Sequence, residues 1–79
     1  MDVEIYSKPN CVFCEKAKIR LQKHNPKIRM LDKDYNRENF LKKFPNARTF
    51  PQIIINGNNI GGYAELKRWL ETNSFDEDF

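Results

Sequence analysis

Two cysteines three residues apart, Cys11 and Cys14, sit where turn chemistry gives way to a helical apolar pattern, and this placement constrains the chain more than any other feature. The preceding Ser7-Lys8-Pro9-Asn10 reads as a turn, with Asn10 as the expected N-cap. At a helix start the unpaired amides and the positive end of the dipole favour a thiolate over a thiol. The outer cysteine, Cys11, is therefore expected to ionise more readily than a free thiol, and Cys14, one turn inside, to be buried. Such a pair suits attack by Cys11 and resolution by Cys14. It is also compatible with part of a zinc site, with a static disulfide, or with two inert thiols. Zinc asks for about four Cys or His ligands, and His24 is the only histidine. A static bridge across so short a loop would restrict the unfolded chain little.

The length of 79 residues sets one small domain, and 39% hydrophobic content leaves few apolar residues to spare from the core. The start, Met1-Asp2-Val3-Glu4, is acidic, and no apolar run reaches membrane-spanning length. These features set the expectation of a cytoplasmic protein (host cytoplasm if viral) with no membrane partner, in a reducing compartment where a Cys-x-x-Cys pair is more often catalytic than structural. The formal net charge is +3. Three of the acids gather in Phe75-Asp76-Glu77-Asp78-Phe79, so the rest of the chain is more basic than the total. Its lysines are spread over several segments without interleaved aromatics, which reads as solvated helix faces and not as a nucleic-acid surface. A mildly positive surface attracts anionic small molecules or acidic partners.

Read in order, strand and helix alternate. Val3-Glu4-Ile5-Tyr6 has period two and is expected as a central strand. A helix is expected to about Lys23, with Cys14, Ala17 and Leu21 inward, stopped by Asn25-Pro26. Residues 27–32 form a second strand, parallel to the first across a right-handed crossover. Asn36 caps a second helix through Phe44, with Phe40, Leu41 and Phe44 inward. The β-branched run Gln52–Ile55 reads as a buried strand, Asn56-Gly57 as a two-residue hairpin turn, and Asn58-Asn59-Ile60 as the return. Gly61-Gly62 leads into a third helix, Tyr63 to about Thr72, with Leu66, Trp69 and Leu70 inward. The order β-α-β-α-β-β-α predicts an α/β fold, a four-stranded mixed sheet flanked by three helices. Residues 1–73 make the domain and 74–79 an acidic tail.

That order, with Cys-x-x-Cys opening its first helix, resembles the minimal thioredoxin fold of the glutaredoxins. Three separated segments carry the resemblance. Lys8-Pro9-Asn10-Cys11-Val12-Phe13-Cys14 is similar to the family's Lys-Pro-x-Cys-Pro-Tyr-Cys; Ala47-Arg48-Thr49-Phe50-Pro51-Gln52 to its Thr-Val-Pro with a cis proline; and Gly61-Gly62-Tyr63 to its Gly-Gly-Cys/Ser-Asp. The small size looks most like bacterial or phage members. The resemblance implies a glutathione-dependent oxidoreductase acting on protein disulfides and glutathionylated thiols. Cys11 and Cys14 would be its catalytic pair, with no bound metal or cofactor and glutathione as co-substrate. The implied glutathione groove has Lys8 and Arg48 at one end, Phe13 as a wall, and Thr49, Phe50 and Pro51 in the middle. Gly62, Tyr63 and Ala64 form its other end, where free amides receive a carboxylate. If the Pro51 bond is cis, the Phe50 backbone turns toward the thiols and can pair with an extended peptide. A monomer is implied, with ribonucleotide reductase as a client by family analogy.

The chain departs from the family pattern at four positions. Val12 replaces proline and adds an N–H near the thiols; Phe13 replaces tyrosine; Phe50 is larger than the usual valine. Ala64 stands where many members have aspartate, so the side-chain partner for the glutathione ammonium is missing there, with Glu65 the next carboxylate along. Two other readings of the same fold stay open. One is a redoxin fed by thioredoxin reductase, against which Gly61-Gly62 argues. The other is a protein bridging an iron–sulfur cluster between two chains, against which Val12 argues, since such members carry a small residue at that position.

Overall fold

The computed structural model describes residues 1–73; the acidic tail expected at 74–79 lies outside the described residues. The strands are β1 (Val3–Ser7), β2 (Lys27–Met30), β3 (Gln52–Ile55) and β4 (Asn58–Gly61), and the helices α1 (Val12–Arg20), α2 (Arg37–Lys43) and α3 (Tyr63–Asn73). They form one sheet in the order β2-β1-β3-β4, so β1 is central as its alternation predicts. The β1–β2 pair is parallel, β1–β3 and β3–β4 antiparallel. The Asn56-Gly57 hairpin has positive φ at both residues, 50° and 83°, the backbone that a tight primed turn requires.

The period-two pattern decides which helix covers which face. Val3 and Ile5 of β1 and Ile53 and Ile55 of β3 point one way and are buried with Ala17, Leu21, Leu66 and Leu70, so α1 and α3 share that face. Tyr6 and Ile54 point the other way, onto Phe40 of α2 and Phe44, which caps it. Because β3 is covered on both faces, its Ile53–Ile55 stretch is an unbroken apolar run. Eight fully or nearly fully buried residues make the larger cluster. At about 25 cal/mol per Å² of apolar area, each large aliphatic among them contributes roughly 1.5–3 kcal/mol over leaving it exposed.

Four local expectations are corrected. Helix α1 is capped by Cys11 and not by Asn10: Cys11 is extended (φ −120°) and its Sγ accepts the Cys14 N–H at 3.2 Å. Asn10 sits one residue too early, in a left-handed turn with φ 56°. α1 ends at Arg20, and a 3₁₀ turn, Gln22–His24, carries the chain to a left-handed Asn25 before Pro26. β2 stops at Met30 because a turn closes there: Asp34 accepts the Met30 N–H at 2.8 Å while the Met30 carbonyl takes the Lys33 and Asp34 amides. Leu41 is 46% exposed, because α2 is short and Phe40 and Phe44, four apart, fill its inward face.

Candidate active site

β1 and the turn after it deliver Cys11 to the N-terminus of α1. Cys11 is half-buried and Cys14 fully buried, as their positions in the turn and first helical turn require. The two are disulfide-bonded, with their Cα atoms 5.2 Å apart. The Cys14 N–H, one of the donors that a helix start leaves without a backbone partner, is aimed at Cys11 Sγ. The same donor is in place for the negative charge that forms on this sulfur when the bond is reduced. Glu15, the acid of the first turn, is drawn aside by Lys18 at 2.8 Å. Val12 and Phe13 stand out from the surface at 67% and 52% exposure, so the outer sulfur is approached past an apolar rim.

Two of the expected segments reach this region through side chains, Phe50 through Lys8 and Tyr63 through Phe13. Phe50 is half-buried, stacked on Phe40 with centroids 4.7 Å apart, and joined to Pro51 by a cis peptide bond. Lys8 is exposed and its Nζ lies 5.4 Å from the Phe50 ring centre, within cation–π range. Gln52 reaches back to the Thr49 carbonyl at 2.9 Å and pins the loop between them. Gly62 is packed against that loop: a Cβ on it would meet Thr49 Oγ1 at 3.1 Å and the Pro51 carbonyl at 3.5 Å. A side chain here would press on Thr49 Oγ1 and Glu65 Oε1, so glycine eases this close approach of the start of α3. Tyr63 then places its ring 5.6 Å from that of Phe13, and Ala64 is exposed beside it.

The residues expected from sequence thus fall into groups. Cys11 pairs with Cys14, Lys8 with Phe50, Phe13 with Tyr63, and Thr49 and Pro51 with Gly62. Arg48 lines a cavity of about 430 Å³ together with Thr49, Gly61, Gly62 and Glu65. Among the described residues, no group of three or more His, Cys, Asp or Glu side chains is placed to hold a metal ion.

Three features have no counterpart in the sequence reading. Glu65 accepts the Gly62 N–H at 2.8 Å, closing the first turn of α3; its place three residues after the cap is a recognisable spacing signal. Lys16 lies over the Phe13 ring at 5.2 Å, which its i+3 spacing allows. Behind Phe50, an aromatic cluster of Tyr6, Tyr35, Phe40 and Phe44 supports the loop. Within it Tyr35 donates to the Ser7 carbonyl at 2.6 Å, fixing the end of β1 from which the thiol turn departs. Burial, then the neighbouring Tyr6 and Asp32, pushes the Tyr35 phenol up to about 12.

Comparison with known proteins places this geometry. The sequence profile of the Glutaredoxin family matches residues 3–60. Glutaredoxin 3 of Escherichia coli K12 is 37% identical over 68 residues, 82% of this chain and 81% of that protein. Glutaredoxin-1 of Rhizophagus irregularis is 36% identical over 69 residues, 81% of this chain and 68% of that protein. Among solved structures, Glutaredoxin 1 from Francisella tularensis complexed with cacodylate superposes with a TM-score of 0.75 at 27% identity, covering 92% of this chain and 95% of that one. Reduced Escherichia coli glutaredoxin gives the same score at 23% identity, covering 94% of this chain and 98% of that one, a likeness of fold. The mixed four-stranded sheet with three helices is the minimal thioredoxin fold.

Proposed function

The chain belongs to the glutaredoxin family, and from that premise we propose that it is a glutathione-dependent reductase of protein disulfides and glutathionylated thiols. The general activity, thiol–disulfide exchange at Cys11 and Cys14, is the family's own and fits a pair found at bonding distance. The observation that carries the reading is the Cys14 N–H directed at Cys11 Sγ at 3.2 Å. It distinguishes the two sulfurs, one served by a helix-start donor and half-exposed, the other buried.

In the reduced protein the Cys11 thiolate attacks one sulfur of a client disulfide. A Cys11–client bond forms, the client bond breaks, and the departing thiolate takes a proton. Cys14, as thiolate, then attacks Cys11 Sγ, closing the Cys11–Cys14 disulfide and releasing the second client thiol. Two electrons have passed to the client. Two glutathione thiols restore the dithiol by the same exchanges and leave as glutathione disulfide. For a glutathionylated client, Cys11 takes the glutathionyl sulfur directly. Potentials of such couples lie about −200 to −230 mV, near the cytosolic glutathione pool, so exchange runs either way.

The glutathione groove is assigned to Lys8, Phe13, Arg48, Thr49, Phe50, Pro51, Gly62, Tyr63 and Ala64. Its support is the approach of the Thr49–Pro51 loop to Gly62 and of Phe13 to Tyr63. Arg48 shares a cavity with Gly62 and Lys8 lies over Phe50, and these two cations are the ones assigned to the two carboxylates of glutathione. Reduction of hydroxyethyl disulfide coupled to NADPH through glutathione and glutathione reductase tests the proposal, with thioredoxin reductase as the alternative electron source. Turnover with glutathione alone is expected; turnover only with thioredoxin reductase would overturn it.

A further inference from the structure

A groove of about 520 Å³ runs between α1 and α3, lined by Phe13, Lys16, Tyr63, Lys67, Arg68 and Glu71, with Ala64 at its edge. Its walls carry three cations against one acid. Among the described residues none of the three cations has an ion-pair partner, whereas Lys18 on the same helix is held by Glu15. Lys16 is positioned by Phe13, over whose ring its ammonium sits. The groove begins at the Phe13–Tyr63 ring pair, and Phe13 is the residue beside the resolving cysteine, two along from Cys11. A positive, aromatic-edged groove therefore starts at the residue next to Cys14 in the chain.

We propose that this groove docks an acidic stretch flanking the disulfide of a protein client. The inference rests on the oxidoreductase reading above and names the chemistry of its client. Along α3 from Tyr63 to Glu71 the groove extends about 12 Å at the helical rise, the reach of about four extended residues. An acidic segment of that length brings its carboxylates to Lys16, Lys67 and Arg68 and relieves their mutual repulsion. Phe13 and Tyr63 cover the apolar part of the backbone nearest the thiols. Such complementarity raises the encounter rate, and through it the choice among clients, more than it adds final affinity. Each exposed pair is worth a fraction of a kcal/mol, so three together give about a tenfold preference at low salt.

The test uses the full chain and two dye-labelled peptides without cysteine, identical except for four central residues, Glu-Asp-Glu-Asp in one and Lys-Lys-Lys-Lys in the other. Fluorescence anisotropy at low salt is expected to give about tenfold tighter binding of the acidic peptide, fading toward parity near 1 M salt. Lys67→Glu with Arg68→Glu should abolish the preference while hydroxyethyl disulfide reduction and melting temperature stay unchanged. Lys16→Glu, on the other wall, should weaken the preference on its own. Equal binding of the two peptides, or a preference that survives the double variant, overturns the proposal. So does displacement of the acidic peptide by a single-stranded oligonucleotide at equal concentration, or self-association of the wild type that the double variant abolishes. These results assign the groove to nucleic acid or to a second copy. Failure of the oxidoreductase reading is seen separately, as wild-type protein inert toward hydroxyethyl disulfide, and it removes the client role even where the peptide still binds.

Discussion

The backbone N–H of Gly62 donates to the Glu65 carboxylate at 2.8 Å, so the first turn of α3 opens on an anion supplied by the chain itself. The same carboxylate crowds Gly61, whose φ of 119° and lack of a side chain leave room for the Glu65 methylenes. Removing the acceptor strands a donor at a buried glycine and frees the turn that faces Thr49. Glu65→Ala is therefore expected to destabilise the fold by about 1 kcal/mol, the usual scale of a lost cap. That corresponds to a fall of roughly 4–8 °C in melting temperature for a domain of this size. Glu65→Gln, which keeps an oxygen acceptor, should lose less than half as much. Thermal unfolding followed by circular dichroism compares the three proteins, and equal losses in both variants would discard the cap.

The asymmetry between the cysteines is expected in their reactivity. With the bridge reduced, Cys11 keeps the Cys14 amide and the helix start beside its sulfur, while Cys14 is sealed inside. Cys11 should ionise below the free-thiol value of about 8.5. Iodoacetamide at pH 6, followed by peptide mapping, should label Cys11 at least tenfold faster than Cys14. Preferential labelling of Cys14 would exchange their roles.

What the sequence made legible was set by periodicity and punctuation. The alternation in Val3–Tyr6, the apolar run at Ile53–Ile55 and the Asn56-Gly57 turn are local signals whose outcome the tertiary structure had no reason to override. The strand order is less local: a parallel crossover and a hairpin leave several orders open, and the long-range pairing of β1 with β3 selects one. Less legible were features made by contact between distant segments. The N-cap went to Cys11 because the preceding turn used Asn10 in a left-handed conformation, which no residue preference alone dictates. Leu41 turned outward because Phe40 and Phe44 had already filled the space above Ile54. Tyr35 lies in a polar stretch and gave no periodic signal, yet it reaches across to Ser7. Arg48 adjoins Thr49 in the chain, but that it shares a cavity with Gly62 and Glu65 depends on the fold bringing residues 48–49 to residues 61–65.

Tyr35 makes a prediction at high pH. Its phenol is raised from 10.0 to about 12, first by burial and then by Tyr6 and Asp32. The folded state therefore holds a proton that the unfolded chain gives up near 10. Below that pH the contribution to stability is complete; it declines between about 10 and about 12 as the unfolded state gains by ionising. Tyr35→Phe should lower stability at pH 7 by about 0.5–1.5 kcal/mol, the worth of the lost bond to Ser7, and should flatten the decline above pH 10. Urea titrations of both proteins at pH 7, 10 and 11.5 measure the difference. A gap between them that stays constant with pH would show that the phenol proton plays no part.

The last prediction separates the two substrates that a dithiol can serve. Removing a glutathionyl group asks only that Cys11 attack the glutathione sulfur, after which a second glutathione clears the enzyme. Reduction of an intramolecular client disulfide leaves the client bonded to Cys11, and Cys14, with its Cα 5.2 Å from that of Cys11, is the efficient group to displace it. An intramolecular thiol held in place outcompetes a free one by orders of magnitude. Cys14→Ser should accordingly keep deglutathionylation within a few-fold and lose at least about tenfold on a dithiol client, while Cys11→Ser loses both. Cys14 is also fully buried, so a purely structural role is the competing account. That account predicts a lower melting temperature with the two activities falling in proportion. Rates on a glutathionylated peptide and on a disulfide-bridged protein, with the melting temperature of each variant, decide between them. If Cys14→Ser reduces both activities equally, Cys14 belongs to the core alone and the exchange runs through Cys11 and glutathione.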